Sequence, residues 1–394
     1  MRIGIAGPMT LDLLRPYLPE SINLPRGYPF PMTAMLVREL LQRGHEVTAY
    51  TTSTDITEPC IVSSPVLTLC VMPSPPRHRG KNLFRDDIEA LSHALQAHPC
   101  DVVHAHWTYE FAVAALNSGI PPLVTVHDRA TAVLLQFKDG YRLARWVLNA
   151  YAVRKAPYLS AVSPYIWSAL PHAAKKKATV IPNFISDSVA RGANTRDARQ
   201  AYLISVCNGF SPLKNLGNAL LGFRQAQSNL PGVRYVLVGQ DCEPGGRAYR
   251  FCQEHGCLDN VVFAGPLSYD QVLERVSLAG ILLHPSYEES FGMSVLEAMS
   301  LGTPVIAGAH SGNMPNLIEH GRSGYLCDVS SPAAIRDALC SLWADDSLRG
   351  QIGQAARETA RRTYSASVVV SQYLSAYERV LAGRPLTDEA CLCN

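Results

Sequence analysis

The sequence predicts an α/β protein with two Rossmann-like domains that face each other across a cleft. The chain has 394 residues, more than a single hydrophobic core of ordinary size serves, so two domains are expected. Short apolar, β-branched runs alternate with segments of helical period through most of the chain, which is the pattern of parallel sheets covered by helices on both faces. The alternation is interrupted once, near the middle, which predicts the domain boundary.

Twelve short runs are the predicted strands, six in each half of the chain. In the first half they occupy residues 2–6, 46–50, 66–71, 101–106, 122–126 and 159–162. In the second half they occupy residues 202–206, 233–238, 260–265, 280–284, 304–308 and 324–327. Segments with a helical period, such as "TAMLVRELLQRG" and "NALLGFRQAQS", separate most of these runs. Strands that alternate with helices in this way form parallel, doubly wound sheets.

The interruption is the polar stretch "FISDSVARGANTRDARQA", which has no clear apolar period. We therefore expect an N-terminal domain over 1–184, a linker over 185–201 and a C-terminal domain over 202–364. A helical apolar face follows over 365–384, whereas residues 385–394 form a tail without one. Ligands of such sheets bind beyond the carboxyl ends of the strands, so the expected site is the cleft between the domains.

Composition excludes several classes of protein. A net charge of +2 over the whole chain argues against a general polyanion-binding protein. The 11 cysteines include no C-x-x-C pair, and an odd number without framework spacing indicates reduced thiols in the cytoplasm. The first residues, "MRIGIAGPMTLD", lack a signal-peptide stretch, and no run reaches the roughly 18 apolar residues that cross a bilayer.

Two glutamates eight positions apart mark the most informative stretch, "ESFGMSVLEAMSLG". A buried strand precedes it, and a helix is predicted from near Phe291 to Gly302, so the helix N-terminus offers a phosphate site. Eight helical residues separate Glu289 and Glu297 by about 12 Å, beyond the roughly 5–9.5 Å of a glycosidase pair. That spacing suits carboxylates that bind hydroxyls at two places on a long, phosphate-bearing ligand such as a sugar nucleotide. The alternative is a helix-capping glutamate with a second glutamate on the exposed helix face.

The wider stretch "HPSYEESFGMSVLEAMSLGTPVIAGAHSG" resembles the E-x7-E signature of family 4 glycosyltransferases, which are retaining enzymes of GT-B architecture. Further resemblances follow in the family's order, at "RGHEVTAYTT", "DVVHAHW", "VTVHD", "VIPNFI", "SPLKN" and "HGRSGYLC". The resemblance therefore runs nearly from end to end. It implies the GT-B architecture, with a final helix that crosses back to pack on the N-terminal domain.

The resemblance implies a role for each matching residue. Glu289 binds hydroxyls of the donor sugar and His127 contacts that sugar near the bond that breaks, so these two are the expected catalytic residues. Lys214 neutralises the diphosphate, which gains negative charge in the transition state. Glu297 accepts hydrogen bonds from the ribose hydroxyls. Further donor-binding groups of the loop and helix start are expected at Phe291, Gly292 and Met293.

Two departures from the family pattern affect the expected site. Gly209, which belongs with the donor-binding residues, stands where many relatives have an arginine, so a phosphate-binding cation is missing. Arg129 is one candidate to replace it. The loop after the first strand has only Gly27 near the place of a Gly-Gly pair, which predicts a long acceptor-side loop. His106 is a second acceptor-side candidate, although it shares a strand face with His104 and the two could alternatively bind a metal.

No metal or cofactor is expected. The sequence has no D-x-D motif, and the adjacent acids in "RDDIE" and "ADDS" fall within helical patterns. Lys214 and the helix N-terminus are expected to take the role of a divalent metal at the diphosphate. The sugar nucleotide is the donor substrate rather than a cofactor.

Residues 138–177 are unusually basic and aromatic. They have eight Lys and Arg against one acid, a net charge of +7, together with six Tyr and Trp. Arg142, Arg145 and Asn149 fall on one helical stripe, and such a surface suits peripheral contact with an anionic membrane. No nucleic-acid-binding motif accompanies the charge, so nucleic acid is not an expected partner. The alternative is a solvated basic face over a core helix.

These observations predict a retaining glycosyltransferase that moves a sugar from a nucleotide diphosphate to a hydroxyl of a sugar or lipid-linked acceptor, in polysaccharide, glycolipid or glycoconjugate synthesis. A nucleotide-sugar epimerase shares the architecture but lacks the E-x7-E pattern. The alternative from another class is a catalytically weak nucleotide-sugar-binding subunit that supports a partner transferase, which Gly209 keeps open. The expected location is the cytoplasm, with peripheral contact at the inner face of the membrane.

Overall fold

The computed structural model describes residues 1–186, 189 and 200–386 of the chain. The fold divides into two compact units: unit 1 is Met1–Asn183 with Val369–Asn394, and unit 2 is Phe184–Val368. The chain therefore passes from one unit to the other twice. Most of the predicted linker and the end of the predicted tail lie outside the described residues.

Unit 1 has an eight-stranded sheet. Its strands are β1 Arg2–Ala6, β2 Glu46–Ser53, β3 Cys60–Ser63, β4 Leu67–Pro73, β5 Val102–His106, β6 Pro122–Val126, β7 Leu159–Ala161 and β8 Ala178–Val180. They lie in the order β3-β4-β2-β1-β5-β6-β7-β8. Neighbouring strands pair in parallel except β3 and β4, which are antiparallel.

Helices connect the strands of unit 1. They are α1 Pro31–Gln42, α2 Arg85–Ala97, α3 Glu110–Asn117, α4 Ala130–Phe137, α5 Gly140–Lys155, α6 Pro164–Ser168 and α7 His172–Lys175. Two 3-10 helices, Leu11–Tyr17 and Arg79–Asn82, lie in the longer connections. The carboxyl ends of β5 and β6 lead directly into the segments that precede α3 and α4, where His106 and His127 stand.

Unit 2 has a six-stranded parallel sheet in the order β11-β10-β9-β12-β13-β14. Its strands are β9 Gln200–Val206, β10 Arg234–Val238, β11 Val261–Gly265, β12 Ala279–His284, β13 Val305–Gly308 and β14 Tyr325–Cys327. Its helices are α8 Leu216–Ala226, α9 Arg247–His255, α10 Tyr269–Leu278, α11 Met293–Ser300, α12 Met314–Leu317, α13 Pro332–Ala344 and α14 Asp346–Tyr364. The last helix, α15 Ala366–Leu381, begins in unit 2 and continues into unit 1.

The central strands have the sequences that a sheet covered on both faces requires. β12, "AGILLH", is buried along its whole length, and β5, "VVHAH", is buried at every position despite two histidines. In unit 2 the apolar core includes Leu203, Phe223, Tyr235 and Leu283. Burial on both sides explains why these strands are continuous apolar runs rather than alternating ones.

The predicted fold class is confirmed, and each of the twelve predicted strands is present, with ends that differ by a few residues. β3 and β8 were not predicted. Both lie at edges of the sheet, β3 as an antiparallel strand of four residues and β8 as a parallel strand of three. Such short edge strands bury too few residues to produce a recognisable apolar pattern.

The predicted packing of the final helix on the N-terminal domain is also confirmed. α15 buries an apolar face that includes Val369, Tyr373 and Tyr377. The Tyr377 hydroxyl lies 2.8 Å from Nδ1 of His104, on β5, and the Tyr373 ring lies 4.9 Å from the His104 ring. The end of the chain is therefore part of the core of unit 1.

Tyr377 should contribute strongly to stability because its side chain is fully buried and its hydroxyl satisfies a buried histidine nitrogen. We expect Tyr377→Ala to destabilise the protein by about 3–5 kcal/mol, as large-to-small core changes do, in chemical denaturation. Leu381→Ala, at an exposed position of the same helix, is the matched control and should stay within about 0.5 kcal/mol of wild type. Similar losses from both variants would contradict the packing of α15.

Candidate functional site

An ion pair lies at the carboxyl edge of the sheet in unit 2. Nζ of Lys214, in the loop after β9, donates to Oε1 of Glu289, in the loop after β12, over 2.7 Å. β9 and β12 are neighbours in the sheet, so loops 75 positions apart in sequence meet at the same edge. His284, the last residue of β12, places Nε2 3.2 Å from the same oxygen, poorly aligned for a hydrogen bond. The structure thus brings together the predicted Lys214 and Glu289 and adds a histidine.

The surroundings keep both partners charged. Burial pushes the pKa of Glu289 upward, but His284 and Lys214 more than offset this, so its pKa is well below the usual range. Burial lowers the pKa of Lys214, and the Glu289 carboxylate more than offsets that effect, so the net pKa is raised. Glu289 is therefore an obligate hydrogen-bond acceptor at neutral pH, which is the property needed to bind sugar hydroxyls.

The loop between Glu289 and α11 depends on two glycines. Gly292 has φ +97°, and a Cβ there would lie 2.3 Å from Cε of Met314. Gly312 has φ +58°, and its Cβ would lie 2.3 Å from the backbone oxygen of Glu289. Neither position accepts a side chain without rearrangement of the loop. α11 begins at Met293, two residues later than the predicted start at Phe291, because Gly292 is in the left-handed region and serves as the N-cap.

Asn313 holds this loop, and the sequence analysis missed it. Its backbone N–H donates to the backbone oxygen of Glu289 over 2.9 Å, and its side-chain Nδ2 donates to the backbone oxygen of Phe291 over 3.1 Å. These bonds fix the backbone on both sides of Ser290. The N–H groups at the start of a helix have no partner within the helix, so the segment from Phe291 to Met293 suits an anion.

Glu297 has different surroundings from Glu289. It lies within α11 and accepts a hydrogen bond of 3.1 Å from the hydroxyl of Tyr269, at the start of α10. Burial raises the pKa of Glu297 to about 7, although the Tyr269 bond favours the charged form. The two glutamates thus have separate partners, as expected for carboxylates that bind different parts of one ligand. Tyr269 was not predicted, because nothing in its local sequence distinguishes it from an ordinary first-turn residue.

Gly209 adopts a backbone conformation that the missing arginine would not readily take. Its φ is +91°, in the left-handed region that glycine adopts readily and arginine does not. The N–H of Phe210 donates to Oδ2 of Asp241 over 3.0 Å, and Nε of Arg247 lies 3.6 Å from the same oxygen. Arg247, the first residue of α9, is therefore a cation close to Gly209, and its distance in sequence hid it from the sequence analysis.

In unit 1 the structure pairs two of the predicted histidines. Nδ1 of His106 lies 2.9 Å from Nε2 of His127. Burial lowers the pKa of both rings, that of His127 to about 3, so both are neutral at pH 7. Nε2 of His106 has no hydrogen-bond partner among the described residues. A buried N–H without a partner is rarer than a buried acceptor without one, so Nε2 of His106 is assigned as the nitrogen without a proton. His106 then donates from Nδ1 to Nε2 of His127, and His127 has its own proton on Nδ1.

His104 and Asp128 form hydrogen bonds with residues outside this histidine pair. Nε2 of His104 lies 2.6 Å from the hydroxyl oxygen of Thr125, and its Nδ1 contacts Tyr377, so it is part of the core. Asp128 accepts from the hydroxyl of Tyr109 over 2.6 Å, whereas the ring of His127 pairs with that of His106. Within the described ranges, no group of three or more His, Cys, Asp or Glu side chains is arranged to hold a metal.

Gly27 lies in the loop after β1, as predicted. A Cβ there would lie 2.2 Å from the backbone oxygen of Met9, so the close approach of two loop segments requires glycine. Beside it is a cavity of about 220 Å³. The cavity is lined by residues that include Arg26 and Tyr28 of this loop, Thr52 of β2 and Arg79 of the second 3-10 helix. The same loop carries Phe30, whose ring lies 5.6 Å from the His127 ring.

The predicted basic stripe on α5 does not form a solvent-facing surface. Arg145 lies over the Tyr109 ring at 3.8 Å and 3.9 Å from Asp128, and Asn149 accepts from Thr108. Arg142 pairs with Asp139 at the start of the helix. Charge and polarity direct these side chains toward neighbouring protein groups, so the expectation of a basic helical face was wrong for this stripe. Among the helices that the structure describes, none is long and apolar enough to cross a membrane.

Glu297 should make stability depend on pH. Its pKa is about 7 in the fold and near 4.5 in the unfolded chain, so between these values the folded protein binds more protons. The free energy of unfolding therefore falls as pH rises through this window, by up to about 3 kcal/mol. We expect Glu297→Gln, which is neutral throughout, to raise Tm at pH 8 and to change it little at pH 5.

The matched control for this prediction is Glu254→Gln, at an exposed position of α9. Thermal unfolding of wild type and both variants at the two pH values is the measurement. A Tm difference between Glu297→Gln and wild type that is the same at pH 5 and pH 8 would contradict the raised pKa of Glu297.

Comparison with known proteins places the chain in a family. The profile described as "Glycosyltransferase Family 4" matches residues 32–189, and the profile "Glycosyl transferases group 1" matches residues 190–359. The N-acetyl-alpha-D-glucosaminyl L-malate synthase of Bacillus anthracis is 26% identical over 313 residues, 74% of this chain and 78% of that protein. A D-inositol 3-phosphate glycosyltransferase of Corynebacterium glutamicum is 34% identical over 160 residues, 40% of this chain and 38% of that protein.

Solved structures show the same architecture. The sucrose-phosphate synthase of Thermosynechococcus elongatus superposes with a TM-score of 0.77 at 19% identity, over 97% of this chain and 100% of that one. Anabaena Alr3699/HepE, in complex with UDP and glucose, gives a TM-score of 0.71 at 16% identity, over 96% of this chain and 99% of that one. The two profiles adjoin in chain order and the fold agrees with them. The chain therefore belongs to family 4 of the glycosyltransferases and is a glycosyltransferase of GT-B architecture.

Proposed function

We propose that this enzyme transfers a sugar, with retention of configuration, from a nucleoside diphosphate sugar to an acceptor hydroxyl. The observation that carries the proposal is the Lys214–Glu289 ion pair, which lies beside the N-terminus of α11. A carboxylate that is ionised at neutral pH, next to a cation and a helix N-terminus, offers acceptors for sugar hydroxyls and donors for a diphosphate at adjacent points. A sugar joined to a diphosphate is the ligand with these two features.

The chemistry of transfer follows from these groups. As the glycosidic bond breaks, the diphosphate gains negative charge, which Lys214 and the N–H groups from Phe291 to Met293 stabilise because they are already in place. The sugar gains positive, oxocarbenium-like character, and the Glu289 carboxylate holds its hydroxyls while stabilising that charge. His127, which His106 orients, donates from Nδ1 to the donor sugar. Glu289 and His127 are the proposed catalytic residues.

Glu297 is the proposed acceptor for the ribose hydroxyls. Its buried carboxylate has one described side-chain donor, Tyr269, so it retains capacity for two further hydrogen bonds. Because burial raises its pKa to about 7, the nucleotide binds best above that pH, where the carboxylate is ionised. The Tyr269 ring, which is partly exposed, borders the place that the ribose would occupy.

UDP is the proposed nucleotide to test first, since a structural neighbour is described in complex with UDP and glucose. Two relatives are named for L-malate and D-inositol 3-phosphate, both small anions, so these compounds belong in the acceptor panel together with sugars and lipid-linked sugars. A screen of UDP- and GDP-sugars by thermal shift identifies the donor. The anomeric configuration of the product, determined by NMR, then tests retention.

No metal and no cofactor take part in the proposed reaction. Lys214 and the start of α11 supply the positive charge at the diphosphate. Activity should therefore persist in EDTA. Loss of transfer on chelation, with recovery on addition of a divalent cation, would show that the diphosphate needs a metal.

Arg247 is the proposed replacement for the arginine that the family pattern places at Gly209. It shares Asp241 with the backbone of Phe210, so a small rotation brings its guanidinium to the loop that contains Gly209. Arg129, the earlier candidate, lies over the Tyr165 ring and donates to its hydroxyl, which ties it within unit 1. A second cation at the diphosphate favours an active transferase over the donor-binding subunit that the glycine at 209 suggested.

Replacement of Glu289 tests its catalytic role. We expect Glu289→Ala to raise the activation free energy of transfer by about 2–4 kcal/mol and so to lower kcat/KM, because the hydroxyl contacts are strongest in the transition state. Glu288→Ala, one residue earlier in the same loop, should have a mild effect. The measurement is steady-state transfer with the donor found by the screen. Equal losses in the two variants would remove Glu289 from the proposed role.

Replacement of Arg247 tests the second cation. We expect Arg247→Ala to weaken UDP binding by about 0.5–1.5 kcal/mol, a modest amount because the side chain is half exposed. Arg250→Ala, one turn further along α9, is the matched control. Calorimetric titration with UDP is the measurement, and an affinity that is the same for wild type and Arg247→Ala would exclude Arg247 from the diphosphate.

A further inference from the structure

The outer face of α4 and α5 is the most apolar exposed surface in the described parts of the chain. Of 14 exposed large hydrophobic side chains among the described residues, six lie between positions 135 and 151. Their exposed fractions are 65% for Leu135, 52% for Phe137, 50% for Leu143, 38% for Trp146, 39% for Val147 and 42% for Tyr151. The other eight are scattered between Met1 and Leu381, so this face is a concentrated patch.

α5 is apolar on two opposite sides. Ala144, Leu148 and Ala152 recur every four residues and are buried against the rest of unit 1. Leu143, Trp146, Val147 and Tyr151 recur at intervals of three and four on the side that faces solvent. The inner stripe is explained by the core of unit 1, whereas the side chains of the outer stripe remain 38–50% exposed.

α4 extends the same surface. The side-chain Nε1 of Trp146 donates to the hydroxyl of Thr131 over 3.2 Å, which ties the two helices together. Leu135 and Phe137, at the end of α4, are the most exposed members of the patch. We use the name α4–α5 face for these six side chains.

Basic side chains surround the α4–α5 face. Lys138 lies between the two helices, and Arg154 and Lys155 are at the end of α5; all three are exposed. The sequence from 130 to 155 contains a single acid, Asp139, which is occupied by Arg142. An apolar centre with Trp and Tyr and a basic border is the composition of surfaces that lie on an anionic lipid interface.

We propose that the α4–α5 face docks on an anionic lipid bilayer and that the acceptor is lipid-linked; the second part rests on the proposed function. α4 begins three residues after His127, and Arg145 of α5 lies beside Asp128, the next residue. Docking of this face therefore places the membrane next to the segment that carries a proposed catalytic residue. A sugar acceptor anchored in that membrane would need to leave it by only a short distance.

A second copy of the chain is the less suitable occupant. In a two-fold symmetric dimer the same face meets itself, so Lys138, Arg154 and Lys155 of each copy would approach their counterparts. With no acid on the face to compensate, like charges would border the contact on both sides. Anionic headgroups reverse the sign of that interaction, which is why we choose the bilayer.

The test is flotation of the purified full chain with vesicles of phosphatidylcholine alone or with 30% phosphatidylglycerol. We expect wild type to float with the anionic vesicles and Leu143→Glu/Trp146→Glu to lose at least tenfold in the bound fraction. The matched control, Ile61→Glu/Val66→Glu, alters two equally exposed apolar side chains elsewhere in unit 1 and should float like wild type. Lys138→Gln/Lys155→Gln should reduce binding to the anionic vesicles.

Several results would overturn the proposal: wild type that does not float, equal flotation of the Leu143→Glu/Trp146→Glu variant, or a dimer in light scattering that this variant converts to monomer. Thermal melting confirms that each variant is folded. UDP titration is carried out in parallel, because the face is not part of the donor site and the variant should bind UDP like wild type. Absence of binding of every UDP- and GDP-sugar in the screen would refute the proposed function and leave the flotation result to decide the docking surface.

Discussion

The ion pair between Lys214 and Glu289 is the contact on which the proposed chemistry depends. It exists because β9 and β12 are parallel neighbours, so the loops at their carboxyl ends meet although 75 residues separate them. Two positive-φ glycines and the side chain of Asn313 fix the loop that carries Glu289. This arrangement places a charged carboxylate, a cation and a helix N-terminus side by side at the carboxyl edge of the sheet. Such a set of groups suits a sugar and its diphosphate bound at the same time.

The proposed function of Glu297 conflicts with its contribution to stability. Burial of this carboxylate destabilises its ionised form, which is why its pKa rises to about 7, yet the ionised form is the stronger acceptor for the proposed ribose hydroxyls. Tyr269 offsets part of that cost in the absence of ligand. The paired histidines of unit 1 differ from Glu297, because burial favours the neutral form that both rings need for their hydrogen bond. Each ring of His106 and His127 can then orient the other.

The fold was predictable because parallel strands buried on both faces produce long apolar runs that recur with helices between them. β3 and β8 were missed because short edge strands leave no such pattern. Lys214 and Glu289 were proposed as site residues from the family motifs. Asn313, Tyr269 and Arg247 lie near the candidate site only through tertiary contacts that no local spacing reveals. The face of α5 was misjudged for a similar reason: Asp128 and Tyr109 draw Arg145 inward, which leaves the apolar stripe outside.

The most direct test compares the affinities of UDP and of a UDP-sugar for Lys214→Ala and Glu289→Ala by calorimetry. Lys214 is the proposed partner of the diphosphate, which both ligands contain, so its removal should weaken the binding of both. Glu289 is the proposed partner of the sugar, so its removal should weaken binding of the UDP-sugar. UDP should bind equally well or more tightly, since Lys214 then has no competing carboxylate partner. Equal weakening of UDP and UDP-sugar by Glu289→Ala would contradict the division of labour between these two residues.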